Sequence, residues 1–402
     1  MDLDKSSDEE QIEHVPDGTA SNGKALFMLL KAFVGTGVVF LPRSFVSGGL
    51  IFSICLMVFI ASLCLIAFQL LIKAQMITGG DYGEMGFAAA YLIFVSENLG
   101  LVVDQLSHCN RAFPSNIFIW LALLIVIPIT WVRKIAKLSW NAIIADVFIL
   151  FGLISIIYFT SDQITHNGPG PNLRMINSSD FALMIGTAVY SFEGIGMVVP
   201  IIQGMKRPDQ FPRVLTLGII ICTCLFVVTG SLGYVAYGEN TKASVVSNLP
   251  PYDSLAITVQ LLYAIAMILT SPFMLYPPLN IIERGIFGKN HSGRLHWKYK
   301  WGKNIVRAII PIVCAAVSYG VGSGGLDKFV ALVGSLCCMP LCFTFPGMFH
   351  FKITKNRWAK FGDVIMVLWG IGIMIFTVYI NVRSWVVPAE SSAEPSNSIC
   401  PL

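Results

Sequence analysis

Charged side chains are scarce in this chain. They make up 12% of its 402 residues, against about 25% in ordinary globular proteins, while hydrophobic residues make up 55%. That balance excludes a conventional water-soluble domain. Basic tracts interleaved with aromatics are missing as well, so nucleic acid is not an expected partner. No basic stretch leads into a short apolar run near the start, so a cleaved signal peptide is not expected. Residues 1–23 instead set Asp2, Asp4, Asp8, Glu9, Glu10, Glu13 and Asp17 against Lys5 alone and read as a disordered acidic tail. The 10 cysteines make no metal pattern. Cys55, Cys64, Cys222, Cys224, Cys314, Cys337, Cys338 and Cys342 lie in apolar runs, where a thiol behaves as a small hydrophobe. Cys337, Cys338 and Cys342 have neither the CxxC spacing nor the histidines of a zinc site. Cys109 and Cys400 lie outside those runs and are the two that a disulfide would join. Neither metal nor cofactor is expected. No nucleophile–base pair stands at usable spacing, so an enzyme is not expected either.

Long apolar runs are what the chain has in plenty. Their length, roughly 17–25 residues, suits about 30 Å of hydrocarbon. The runs are Ala25 to Leu41, Leu50 to Ile72, Phe87 to Val103, Ile117 to Trp131, Leu138 to Tyr158 and Phe181 to Ile202. They continue with Val214 to Tyr237, Leu255 to Ile282, Ile305 to Val321, Phe329 to Phe351 and Val364 to Val382. The pattern predicts an all-α polytopic membrane protein of about 11 transmembrane helices. Its transmembrane domain spans 24–387, and a C-terminal tail follows over 388–402. With all the segments spanning, most of the lysines and arginines fall on the side of the N-terminus, which the positive-inside rule makes cytosolic. The third segment is the short one, and it holds Ser96, Glu97 and Asn98 in its second half. No pattern in the sequence sets an oligomeric state.

Two of the runs are interrupted. The first contains Gly35-Thr36-Gly37 with Pro42 beyond it, and the sixth contains Phe192-Glu193-Gly194-Ile195-Gly196 with Pro200 beyond it. Broken helices are tolerated in a membrane only where they line a cavity or are buried in protein. Broken segments in corresponding places of two halves point to the binding site of a secondary transporter. A half-helix starting after Gly35-Thr36-Gly37 offers free amides, at Val38 among others, to a carboxylate. Carbonyls freed at Phe192, Glu193 and Gly194 suit an ammonium group, with Tyr190 and Ser191 beside them. Together the breaks describe a site for an α-amino acid zwitterion. The alternative is that the glycines let helices approach closely.

Ionisable residues inside spanning segments are costly and usually functional. Glu193 is a candidate for proton coupling or gating. The competing role is a structural carboxyl paired with a base, for which Lys31 is a candidate; Lys31 otherwise reaches toward the cytosolic interface. Asp146, midway along the fifth segment, is a further proton-relay candidate. Asn177-Ser178-Ser179 fits the glycosylation pattern on the non-cytosolic side.

Lys31 to Val38 with Phe40-Leu41-Pro42, Ser191 to Gly196, and Phe94 to Leu99 resemble the amino acid/auxin permease family. The likeness is to its fungal vacuolar amino acid transporters and animal proton-coupled transporters, and it runs from about Gly23 to Val382. The resemblance implies a LeuT-type fold of two inverted five-helix repeats, with helices 1 and 6 broken at the substrate, plus an eleventh helix. It implies proton-linked movement of neutral amino acids at a vacuolar or lysosomal membrane, or at the plasma membrane. Substrate and protons are then the partners, with the lipid bilayer around them. In that likeness Gly35, Thr36 and Gly37 meet the carboxylate, and Ser191 to Gly194 form the unwound part of helix 6. Gly80 to Gly86 and Phe87 to Phe94 resemble parts of helix 3 that the family separates, so helix 3 is expected to be shortened. The alternatives are a non-transporting amino acid sensor or an inactive isoform, and sodium-coupled symport through Thr36, Thr270 and Ser271.

Overall fold

The computed structural model describes residues 20–35, 37–78, 86–107, 114–132, 135–178, 180–194, 198, 201–202, 204–287, 297–322 and 325–386. Nearly all of them are helical. Among the described residues seven helices are long and apolar enough to cross a membrane, and a bent pair, taken as one span, makes eight. That pair is α1 (Asn22–Phe33) and α2 (Gly37–Gly48), which meet at 49°. It is the expected break in segment 1, but α2 runs past Leu41 and through Pro42 to Gly48.

Then come α3 (Leu50–Thr78), α4 (Gly86–Leu106), α5 (Ile117–Thr130) and α6 (Ile135–Asn167). α7 (Phe181–Ser191) stops at the second break, and α8 (Phe211–Tyr237) follows. Segment 8 divides at Leu275 into α9 (Ser254–Met274) and α10 (Tyr276–Phe287). α11 (Trp297–Val321) leads to segment 10, where α12 (Leu326–Val333) and α13 (Phe345–Ile353) flank two wide turns, Gly334–Cys338 and Pro340–Thr344. Pro340 has no N–H for the ladder, which is why the helix loosens there. α14 (Arg357–Val386) ends the described chain.

Hydrogen bonds fix which ends share a face. Leu50 and Ile51 donate to the Arg174 and Met175 carbonyls, and Gly170 donates to Val235; these ends share one face, which we call outer. Ala20 donates to Gly204, and Lys206 donates back to Ala20, on the inner face. Ala20 is therefore a buried part of the fold and Ser21 caps α1, so the folded region begins before residue 24. The rest of the expected N-terminal tail, and all of the C-terminal one, lie outside the described residues.

α4 carries segment 3 past its expected end at Val103. It continues through Asp104 and Gln105 to Leu106, and 21 residues rise about 31 Å. The basic stretch 283–303 also proves helical at both ends, in α10 and α11.

The core gathers on α2, whose Gly37, Val38, Val39, Phe40, Leu41 and Phe45 are all buried. α7 packs on the segment-10 helix through Gly186 and Gly334: a Cβ on Gly334 would overlap the Gly186 backbone and one on Gly186 the Ala331 carbonyl; small residues let the helices touch. On the inner side, fully buried Arg307 ties three helices. It donates to Glu283 (2.8 Å), the Asn280 side chain (2.7 Å) and the Thr130 carbonyl (3.0 Å). Lys303 makes a second pair with Glu283 at 3.1 Å. Exposed Leu124, Leu150, Ile375 and Leu368 show where α5, α6 and α14 meet lipid, which explains surface that would otherwise be costly.

Candidate functional site

α1 ends because Val34 leaves helical geometry at φ −83°, ψ 74°. Its N–H still reaches Leu30 O at 2.7 Å, and Gly35 N–H turns back to Phe33 O at 3.0 Å. Thr36 lies outside the described residues. α2 then starts at Gly37, so its first-turn amides, Val38 included, have no acceptor within the helix. α7 ends at Ser191, whose hydroxyl donates to Thr187 O at 2.9 Å. Phe192 N–H reaches Ala188 O (3.2 Å) and Glu193 N–H reaches Tyr190 O (3.3 Å).

The two breaks face each other. A Cβ on Gly37 would lie 2.9 Å from Ser191 Cα, and one on Gly194 would lie 2.9 Å from the Phe33 ring. A Cβ on Gly35 would lie 3.2 Å from the Tyr91 hydroxyl of α4. The glycines lie where the breaks pack together. They interrupt the helices, and they let the interrupted ends touch.

Tyr190, Ser191, Phe192 and Glu193 are all buried. The Tyr190 ring leans on Phe40 at 6.4 Å and the Phe192 ring on Phe226 at 5.3 Å. Val38 is buried among the core side chains, so only its backbone amide remains for a ligand. Glu193 sits on the first turn beyond α7, at the level where Gly194 meets Phe33.

Lys31 does not take the partner the sequence suggested. Its Nζ lies 3.0 Å from Asp146 Oδ2 and 5.6 Å from the centre of the Phe273 ring. It neither pairs with Glu193 nor runs out to the interface. The contact joins the inner half of the broken helix to α6 and α9, and it brings together two residues that sequence reasoning had kept apart.

A second ion pair went unnoticed in the sequence. Arg43 Nε lies 3.3 Å from Asp327 Oδ2 at the start of α12, and its guanidinium also donates to the Thr241 carbonyl at 3.0 Å. The pair itself lines a cavity together with Phe40, Ser44, Thr187 and Val330. Arg43 reads as a loop residue if segment 1 ends at Leu41. The signal available was the unbroken apolar run Phe45-Val46 after it.

The Asn177 side chain is buried, and its Nδ2 donates to Val46 O at 3.2 Å. Among the described residues no group of histidine, cysteine and carboxylate side chains is placed to hold a metal. Cys109 and Cys400 lie outside the described residues.

The family model described as transmembrane amino acid transporter protein matches residues 18–88 and 82–383. The two stretches join at the approach to α4, where the sequence places the shortening of helix 3. The chain is 39% identical over 388 residues to a Schizosaccharomyces pombe protein described as vacuolar amino acid transporter 3, covering 90% of this chain and 58% of that one. To Saccharomyces cerevisiae vacuolar amino acid transporter 4 it is 35% identical, with 90% and 58% covered. It thus spans somewhat under three fifths of these relatives. Among solved structures, MhsT in complex with L-phenylalanine superposes with a TM-score of 0.54 at 12% identity, covering 91% of this chain and 99% of MhsT. That likeness is one of fold, the LeuT-type arrangement with broken helices 1 and 6.

Proposed function

Because the chain belongs to the transmembrane amino acid transporter family, we propose that it is a secondary active transporter of neutral amino acids, coupled to protons and working by alternating access. We place it, like its fungal relatives by name, at a vacuolar or lysosomal membrane, with the end of α1 that carries Ser21 on the cytosolic side. The observation that carries this reading is the meeting of Gly37 with Ser191 and of Gly194 with Phe33.

The free amides that open α2, at Gly37 and Val38, hold the substrate carboxylate, with Gly35 and Thr36 beside them, because a helix N-terminus favours negative charge. Carbonyls at Ser191, Phe192 and Gly194 take the ammonium group, and Tyr190 walls the site. The surrounding Phe40, Phe192 and Phe226 rings favour an uncharged side chain, since an unpaired charge there would lose its hydration. Entry of the zwitterion separates Gly37 from Ser191.

The two ion pairs bracket the site. Lys31–Asp146 ties the broken helix to the fifth helix on the inner side, and Arg43–Asp327 ties it to the tenth on the outer side. In a five-plus-five inverted repeat those two partners are equivalent helices. Opening to one side requires releasing that side's pair. A proton on Asp146 cancels its charge and frees Lys31, which couples inner opening to protonation. Glu193, buried at the second break, carries the proton alongside the substrate.

Sodium coupling is the weaker reading. The Thr270 and Ser271 hydroxyls donate to Ala266 O and Met267 O within their own helix, and the Lys31 ammonium already stands beside Phe273.

The test is pH-gradient-driven uptake of radiolabelled neutral amino acids into proteoliposomes. Wild type should accumulate substrate with the gradient, and Glu193→Gln and Asp146→Asn should each lose about 100-fold or more of that uptake. Gradient-driven uptake that survives in both variants sinks the coupling assignment. Binding without any uptake by the wild type indicates a sensor or an inactive isoform.

A further inference from the structure

α4 carries two buried acids to which the reading above gives no role. Glu97 and Asp104 are 3% and 6% exposed and seven residues apart, so they share one helix face. On the adjoining face Tyr91, Asn98 and Gln105 repeat at the same interval, and all three are buried. The stripe runs from the break to the outer face: the Tyr91 hydroxyl meets Gly35, and the helix ends at exposed Leu106.

Buried polar atoms without a hydrogen-bond partner gather along its outer half. They are Asn98 Oδ1, both side-chain polar atoms of Gln105, Ser107 Oγ, Gln260 Oε1 of α9, and Ser247 Oγ of the 245–248 turn. The helix register brings several of these together. The Phe94 and Tyr263 rings touch at 6.1 Å and α4 runs antiparallel to α9, so one turn outward sets Asn98 level with Gln260. Gln260 Nε2 donates to Val246 O at 3.3 Å, which brings Ser247 to that level. More than 90% of buried polar groups find partners, so such a concentration marks where water is taken in when the helices move.

We propose that α4 is the outer proton path, with Asp104 as the entry acid and Glu97 as the acid that hands the proton on to the break. A hydronium ion outside gives its proton to the Asp104 carboxylate. Water held by Gln105, Gln260, Ser247 and Asn98 relays that proton to Glu97, and Asp104 returns to its charged form. Among the described residues, the titratable groups on the helices packed against α4 are Tyr263 of α9, Tyr299, Lys300, Lys303, Arg307, Cys314 and Tyr319 of α11, and Asp327 and Lys328 of α12. α5 and the 245–248 turn add none, and Arg43, Lys303 and Arg307 are engaged with Asp327 and Glu283.

The path rests on the proton-coupled transport reading, and the experiment separates the two. Reconstituted wild type, Asp104→Asn and Glu97→Gln are compared for gradient-driven alanine uptake and for alanine exchange at equal pH. Exchange needs no proton release, and an amide imitates the protonated acid. Both variants should keep exchange and lose gradient-driven uptake at least about tenfold. A variant that keeps both activities, or loses both, overturns the path. Infrared difference spectra between neutral and acidic outer pH, taken without amino acid, should show a protonated-carboxyl band that shrinks in each variant. A band that neither variant alters overturns the path whether or not the chain transports. Wild type that neither takes up nor exchanges any amino acid overturns the transport reading instead.

Discussion

Gly37 and Gly35 show how much one missing Cβ decides. The added carbon at Gly37 meets Ser191 Cα, a backbone atom, while the one at Gly35 meets only the far end of the Tyr91 side chain. Overpacking against backbone costs about 1–3 kcal/mol, whereas a hydroxyl has some room to turn aside. Gly37→Ala is therefore expected to lower the melting temperature in detergent by several degrees and to weaken substrate binding, with Gly35→Ala milder in both. Equal or reversed effects would mean that the two broken ends do not bear on each other. That glycine occupies these positions is plain in the sequence. Which glycine faces a backbone depends on α7, about 150 residues further along the chain.

At the scale of elements, the Lys31–Asp146 pair makes α1 and α6 one unit on the inner side. Their side chains are 13% and 18% exposed, so leaving one charge behind should cost roughly 3–5 kcal/mol. Asp146→Ala alone is expected to melt well below wild type, and adding Lys31→Met should recover part of the loss. A double variant no better than the single one would show that the contact carries no coupling energy. In the sequence both residues were visible as charges inside apolar runs, and each was singled out. Their pairing was not legible, because Glu193 lies in an equally suitable run and periodicity gives no distance between helices. Arg43 was misplaced for a related reason: proline at position 42 suggested an end, yet α2 continues through it to Gly48, giving up one ladder bond to the Val38 carbonyl.

At the scale of the whole molecule, the hydrogen-bonded faces predict an orientation that labelling can check. Single cysteines placed in the 288–296 and 354–356 segments should react with a membrane-impermeant reagent only from the cytosolic side. Those placed at 168–172 and 250–252 should react only from the other side. Reaction of 168–172 from the cytosolic side would invert the positive-inside assignment. The sequence by itself determined that the chain is a bundle of spanning helices, broken at Gly35-Thr36-Gly37 and at Phe192-Glu193-Gly194. Apolar run length against bilayer thickness and the cost of unpaired backbone in lipid are local quantities, readable along one strand of residues. It also set the family, through those same motifs. Only the tertiary structure decided that Lys31 answers Asp146, that Arg43 answers Asp327, and that the Asn177 amide bonds the Val46 carbonyl. Those outcomes depend on which helix faces are pressed together, and a distance between residues a hundred or more positions apart exists only once the chain has packed.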